Sequence, residues 1–155
     1  MIEIKALDHV VFRTTQLDKM LAFYCDVLGC RIERELPPES GLTQLRAGNS
    51  LIDLVTVDSE LGRLGGKPPS QDGRNVEHVC LQIAACDEAT LLKFLDQHAI
   101  RHSAFEDRYG ARGMGRSVYI NDPEGNVIEL TPRQSTETSG DGGVDTPPSP
   151  KNTQQ

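Results

Sequence analysis

The sequence predicts an α+β fold of two βαβββ modules whose mixed sheets form a cup. Three observations carry that prediction. Leu7-Asp8-His9-Val10-Val11 returns as Val76-Glu77-His78-Val79-Cys80, 69 residues later. Leu51-Ile52-Asp53-Leu54 returns as Val127-Ile128-Glu129-Leu130, 76 residues later. Between these matched ends, each half runs from a strand-like stretch through a helix-like stretch to further strands. Two matched strand ends in the same order mark a duplicated unit.

The first module covers residues 1–57. Residues 6–13 alternate and are rich in β-branched side chains, as a strand requires. Residues 17–28 carry Met20, Leu21, Tyr24, Val27 and Leu28 at helical spacing, and Gly29 stands where a left-handed residue closes a helix. Strands follow at 31–36, 42–46 and 50–57, separated by Pro37-Pro38 and Gly48-Asn49. A polar linker rich in Gly and Pro occupies 58–75.

The second module covers residues 76–133. It has a strand at 76–83 and a helix at 87–98, striped by Leu91, Leu92, Leu95 and Ala99. Asp87 matches Asp18 under the 69-residue shift, each at a helix start. Strands are expected at 101–105, 116–120 and 126–131, with Asp122-Pro123-Glu124-Gly125 as a turn between the last two. Residues 134–155 contain one Val, no other branched apolar residue and no aromatic. Such a segment cannot offset the entropy of ordering, and a disordered tail is expected there.

Composition narrows the function classes. The net charge is −7, with acidic residues spread along the chain and no basic stripe, which argues against a nucleic-acid partner. No apolar run approaches the roughly 20 residues of a membrane helix, and MIEIKALDH is no signal peptide. The four cysteines show no CxxC spacing and fit reduced thiols in a cytoplasmic protein.

The repeat also predicts a metal site. Alternate side chains of a strand share a face. Val10 and Phe12 therefore point away from His9, Val79 and Leu81 from His78, and Ile128 and Leu130 from Glu129. With the apolar partners under the helices, His9, His78 and Glu129 line one concave surface when the half-sheets meet. Two imidazoles and a carboxylate suit divalent Zn, Ni, Co, Mn or Fe, with positions left open for water or substrate. A single strand histidine is ordinarily a hydrogen-bonded structural residue. Here both histidines occupy the same place in the repeat, and Glu129 lies in an otherwise apolar strand, where a charge is costly unless paired or ion-bound.

LDHVVFRT, FYCDVLGCRIE, VEHVCLQI and YINDPEGNVIEL together resemble the vicinal oxygen chelate (glyoxalase-like) superfamily, over residues 5–132. The resemblance implies metal ligands at His9, His78 and Glu129. It sets Asp53 where glyoxalases and epimerases often have Glu or Gln, as a fourth ligand or catalytic base. Aspartate is one methylene shorter, and the alternative is a hydrogen-bonded strand residue. The implied chemistry is a divalent ion chelating two vicinal substrate oxygens and stabilising an enolate or oxyanion, with a carboxylate such as Glu129 or Asp53 moving the proton.

The implied function is a metal-dependent isomerase or lyase of the glyoxalase type, acting on a small oxygenated, anionic metabolite. Alternatives are a fosfomycin-type epoxide-opening enzyme, an extradiol-type dioxygenase, and a metal-free small-molecule binder of the bleomycin-resistance type. The superfamily also implies a homodimer.

Residues 108–116 combine three arginines and three glycines in an acidic chain. Guanidinium forks suit carboxylate or phosphonate, which makes Arg112 and Arg116 candidates for a substrate anion, with Tyr119 on the strand that follows. Arg13 shares the His9 face by alternation and is a further candidate. Their alternative is a solvated surface role. His98 and His102 fit structural or surface positions, His98 beside a helix C-terminus.

Overall fold

The computed structural model describes residues 1–133; the tail expected at 134–155 lies outside the described residues. The first module runs β1 (His9–Thr14), α1 (Leu17–Leu21), β2 (Arg31–Glu35), β3 (Leu42–Ala47) and β4 (Ser50–Thr56). The short helix α2 (Glu60–Arg63) interrupts the segment read as linker. The second module runs β5 (His78–Ile83), α3 (Glu88–Gln97), β6 (Glu106–Gly110), β7 (Gly113–Asn121) and β8 (Val127–Pro132).

Each module forms a four-stranded mixed sheet, in the orders β1-β4-β3-β2 and β5-β8-β7-β6. The first strand of each lies parallel to the last, and the remaining pairs are antiparallel. The registers match: His9 pairs with Leu51 and Val11 with Asp53, while His78 pairs with Val127 and Cys80 with Glu129. The repeated sequence is thus a repeated geometry.

The helix predicted over 17–28 begins as α1 and widens into a π-helical turn, Ala22–Val27, where Leu28 N bonds Phe23 O at 3.0 Å. Met20, Phe23 and Tyr24 are buried, and Gly29 closes the turn at φ 74°, a conformation that glycine adopts without penalty. Asp87 caps α3, its Oδ2 accepting from Thr90 N at 2.9 Å.

One strand is displaced from its expected position. Residues 101–105 hold only an isolated bridge, His102 to Ile120, and the sixth strand lies at Glu106–Gly110. The glycine-rich stretch is a hairpin rather than a loop: Gly110 pairs with Gly113 across a two-residue turn, Ala111-Arg112. All five residues of β6 are exposed, so the strand has no apolar alternation by which its sequence could be recognised.

The core joins both modules through their helix-side faces. Phe12, Met20, Tyr24, Leu45, Ile52 and Leu54 of the first form one cluster with Leu95, Val118, Ile120, Ile128 and Leu130 of the second. By alternation, His9, Asp53, His78 and Glu129 occupy the faces turned away from that core.

The turn before β8 fastens the modules together. Glu124 Oε1 accepts from Thr14 Oγ1 at 2.8 Å and from Thr15 Oγ1 at 2.9 Å, at the entrance to α1. Tyr24 donates to Asp122, and Arg74 donates to Glu124 O at 2.8 Å and Asn126 Oδ1 at 3.0 Å. Among the described residues, no helix is long and apolar enough to cross a membrane.

Candidate metal centre

His78 opens β5, and Glu129 lies two residues into β8 beyond His78's pairing partner, Val127. A diagonal step between parallel neighbours brings His78 Nε2 within 3.0 Å of Glu129 Oε2. The imidazole is partly exposed, whereas Glu129 is only 6% exposed. His78 Nδ1 engages the carboxylate of Glu77. An imidazole whose Nδ1–H is taken by a carboxylate presents its Nε2 lone pair to an ion.

Tyr119 pairs with Glu129 and places its ring edge-on to His78, with centroids 5.7 Å apart. Its hydroxyl accepts from Arg108 Nε at 3.0 Å, and the Arg108 guanidinium lies 5.6 Å from the ring centroid.

The first module repeats this plan with different partners. His9 Nδ1 engages Asp8 Oδ1 at 2.6 Å. That hydrogen bond raises the His9 pKa above its ordinary value; desolvation opposes it, and the charges of Asp53 and Asp8 add to it. Asp53 is 3% exposed, and its Oδ2 accepts from Gln44 Nε2 at 3.0 Å. Its Oδ1 is buried with no hydrogen-bond partner, an unsatisfied acceptor that suits a donor or a cation.

The structure thus brings His78, Glu129 and Tyr119 together, and sets His9 with Asp53 on the matching face of the other module. Among the described residues of one chain, no three His, Cys, Asp or Glu side chains gather closely enough to hold an ion. A buried carboxylate and an imidazole 3.0 Å apart nonetheless suit two positions of a divalent-metal site, and His9 occupies the matching register position on the other sheet.

The arginines separate by face. Arg116 shares parity with buried Val118 and Ile120, on the helix side, and donates to Glu88 Oε1 at 2.8 Å and to Phe105 O at 3.2 Å. These bonds turn its guanidinium toward α3 rather than toward the cup. Glu88, hydrogen-bonded to it, raises the Arg116 pKa.

Arg13 lies on the His9 face, but its donors grip the chain after β4: Gly62 O at 3.1 Å, Gly65 O at 2.9 Å, Lys67 O at 2.9 Å and Gly66 O at 2.7 Å. It holds that segment across the end of β1 instead of presenting its fork to an anion. Arg112 sits in the β6–β7 turn.

Arg108 is the arginine that meets the cup. Its partner Gly115 shares a face with Tyr119, a relationship set by hairpin register and invisible in composition. The other two histidines lie at the end of α3. His98 Nδ1 engages Phe94 O at 2.8 Å, and His102 engages Ser103 O at 2.8 Å and Asp96 Oδ1 at 3.1 Å.

The chain is similar to known proteins in sequence and in fold. Biphenyl-2,3-diol 1,2-dioxygenase 3 of Rhodococcus globerulus is 30% identical over 142 residues, covering 84% of this chain and 68% of the relative. Mitochondrial methylmalonyl-CoA epimerase of Homo sapiens is 26% identical over 110 residues, 69% of this chain and 61% of the relative. Among solved structures, an integron cassette protein from the mobile metagenome of V. cholerae superposes with a TM-score of 0.66 at 25% identity, covering 86% of this chain and 99% of that one. Residues 6–130 match the family profile described as Glyoxalase/Bleomycin resistance protein/Dioxygenase superfamily. With a duplicated βαβββ fold and a match spanning both modules, the chain belongs to that superfamily.

Proposed function

We propose that the protein is a metal-dependent, glyoxalase-like isomerase or lyase that acts on a small oxygenated anion. The observation carrying this reading is the His78–Glu129 pair, 3.0 Å apart on the open face of the second sheet, with His9 at the equivalent register position of the first. His9, His78 and Glu129 are the proposed ligands. When bound, a divalent ion would supply electrostatic stabilisation of a developing substrate oxyanion. Glu129 and Asp53 are the candidate proton carriers, and Tyr119, with Arg108 once its pairing to Glu106 is exchanged for substrate, is the candidate holder of the anionic group.

The complete site is proposed to form in a homodimer. β1 and β5 are the edge strands of their sheets, and each begins with a histidine proposed as a ligand. Val11, on the His9 face, is 46% exposed, and Ile2, Ile4 and Leu7 ahead of β1 are exposed as well. Exposed apolar groups beside an unpaired strand edge invite a partner. A second copy setting its β1 against this β5 would bring His9 of one chain toward His78 and Glu129 of the other.

A second reading, a dioxygenase, draws support from the name of the Rhodococcus relative, since two histidines and one carboxylate also suit Fe²⁺. The engagement of His98 and His102 at the end of α3 favours the first reading, because it leaves neither as a base beside the cup.

Elemental analysis of tag-free protein, followed by metal titration of wild type, His78→Ala and Glu129→Gln, tests the site. Expected are near-stoichiometric metal in wild type and its loss in both variants, with a dimer by light scattering. Turnover is then sought with methylglyoxal–thiol adducts and fosfomycin, and oxygen uptake with catechols. Metal-free wild type that takes up no ion on reconstitution would overturn the proposal.

A further inference from the structure

The two carboxylates that the repeat makes equivalent stand in opposite surroundings. Asp53 shares its face with Val11 and Gln44 across the strands and with Val55 along its own, and Val55 pairs with Leu42. The corresponding neighbours of Glu129 are Cys80, Tyr119, Thr131 and Ser117. Val11, Val55 and Leu42 have thus become Cys80, Thr131 and Ser117. Every replacement exchanges a hydrocarbon for a hydrogen-bonding group.

Thr131 is the hub of that polar trio. Its Oγ1 lies 2.7 Å from Ser117 Oγ, 3.4 Å from Cys80 Sγ and 3.4 Å from Glu129 Oε1. A threonine hydroxyl owns one hydrogen. Thr131 donates that hydrogen to Glu129 Oε1. Ser117 must then donate to Thr131, and the Cys80 thiol can reach it only as a donor. Every donation runs toward Glu129. Ser117 is 1% exposed, so water does not compete for its hydroxyl.

The two oxygens of Glu129 are thereby divided. Oε1 is turned to Thr131, whereas Oε2 faces His78 Nε2. We propose that Thr131, backed by Ser117, is a positioning residue that holds Glu129 so that a single oxygen, Oε2, is offered to the cup. Asp53 has no hydroxyl behind it: Gln44 Nε2 donates to its Oδ2 at 3.0 Å, and its Oδ1 is the buried acceptor without a partner. The duplicated modules have therefore diverged: in the second both carboxylate oxygens have a side-chain partner, and in the first Asp53 Oδ1 has none. This inference rests on the metal-site reading above for its consequence, but not for its geometry.

The test uses Thr131→Val, which removes the hydroxyl at nearly constant shape, and Thr131→Ser, which keeps it. Metal-free crystal structures are compared with divalent-metal titrations by calorimetry using Mn²⁺ and Zn²⁺. In T131V, Glu129 is expected to leave its wild-type position, and metal affinity to fall about 10–100-fold, the usual effect of losing an outer-shell partner. T131S should restore both.

A Glu129 that superposes on wild type in T131V, or unchanged affinity, would overturn the proposal. If wild type takes no metal while T131V still displaces Glu129, the positioning role stands and the metal reading falls. If T131V fails to fold, Ser117→Ala probes the same chain one step back and should displace Glu129 in the same sense. An unmoved Glu129 in S117A overturns the proposal as well.

Discussion

Tyr24 donates its phenolic hydrogen to Asp122 Oδ2 across 2.9 Å, joining the helix of the first module to the turn before the last strand of the second. Both groups are buried, and Asp122 also accepts from Asn126 N at 2.8 Å and Asn126 Nδ2 at 2.7 Å. The two sequence stretches most typical of the superfamily, FYCDVLGC and DPEGNVIEL, thus meet in one hydrogen-bonded knot. Burial, reinforced by the Asp122 charge and hydrogen bond, drives the Tyr24 pKa upward and keeps it a donor.

Tyr24→Phe removes that donor and little else. A hydrogen bond to a buried charge contributes about 1.5–3 kcal/mol, and the loss should appear as a lower thermal midpoint. Asn126 still satisfies Oδ2, so the cost should sit at the lower end of that range. An unchanged midpoint would show that the knot does not stabilise the fold.

Glu124 fixes the pH dependence of the same junction. Its partial burial raises its pKa, but bonds from Thr14, Thr15 and Gln16 outweigh that and leave it below the ordinary 4.5. A carboxyl depressed in the folded state adds stability above its unfolded pKa and loses it as pH falls through the folded value. Glu124→Gln should therefore be less stable than wild type near neutrality, with the gap narrowing as pH drops below about 4.5. Denaturant midpoints measured across that range check it. A gap independent of pH would mean that the carboxylate charge plays no part.

The fold was legible because the repeat and the strand alternation agree. His9 and His78 carry the same flanking pattern, and the structure gives them the same register. What stayed hidden depends on relations that composition does not encode. Arg108 reaches Tyr119 only because the β6–β7 hairpin turns at Ala111-Arg112; a one-residue slip would reverse the face. Arg13 is held by carbonyls 49 to 54 residues away, whose course no local pattern predicts. The place of Arg116 is legible in the sequence, since it alternates in step with buried Val118 and Ile120.

Val55→Thr should stabilise the protein. Val55 shares a face with Asp53, at the place where the second module has Thr131 beside Glu129. A buried acceptor without a partner costs about 1–3 kcal/mol, and a nearly isosteric hydroxyl can recover part of it. The expected result is a higher midpoint than wild type, by up to about 1 kcal/mol in equivalent stability. In an Asp53→Ala background, which offers no acceptor, V55T should bring no gain if the new hydroxyl bonds Asp53. A gain that survives in D53A would assign it to another cause.

Cys80 offers a readout of the metal site that needs no substrate. It pairs with Glu129 in the sheet and is exposed, as is Cys86, which precedes α3 and lies away from the cup. Burial raises the pKa of both thiols, so both should react slowly at neutral pH and measurably at mildly alkaline pH. Mn²⁺, which favours oxygen and nitrogen ligands, would gather His78 and Glu129 in front of Cys80 without claiming the thiol. Iodoacetamide labelling followed by peptide mass spectrometry should then show Cys80 protected several-fold by Mn²⁺, with Cys86 unchanged as the internal control. Equal protection of the two thiols, or none at Cys80, would place the ion elsewhere on the protein.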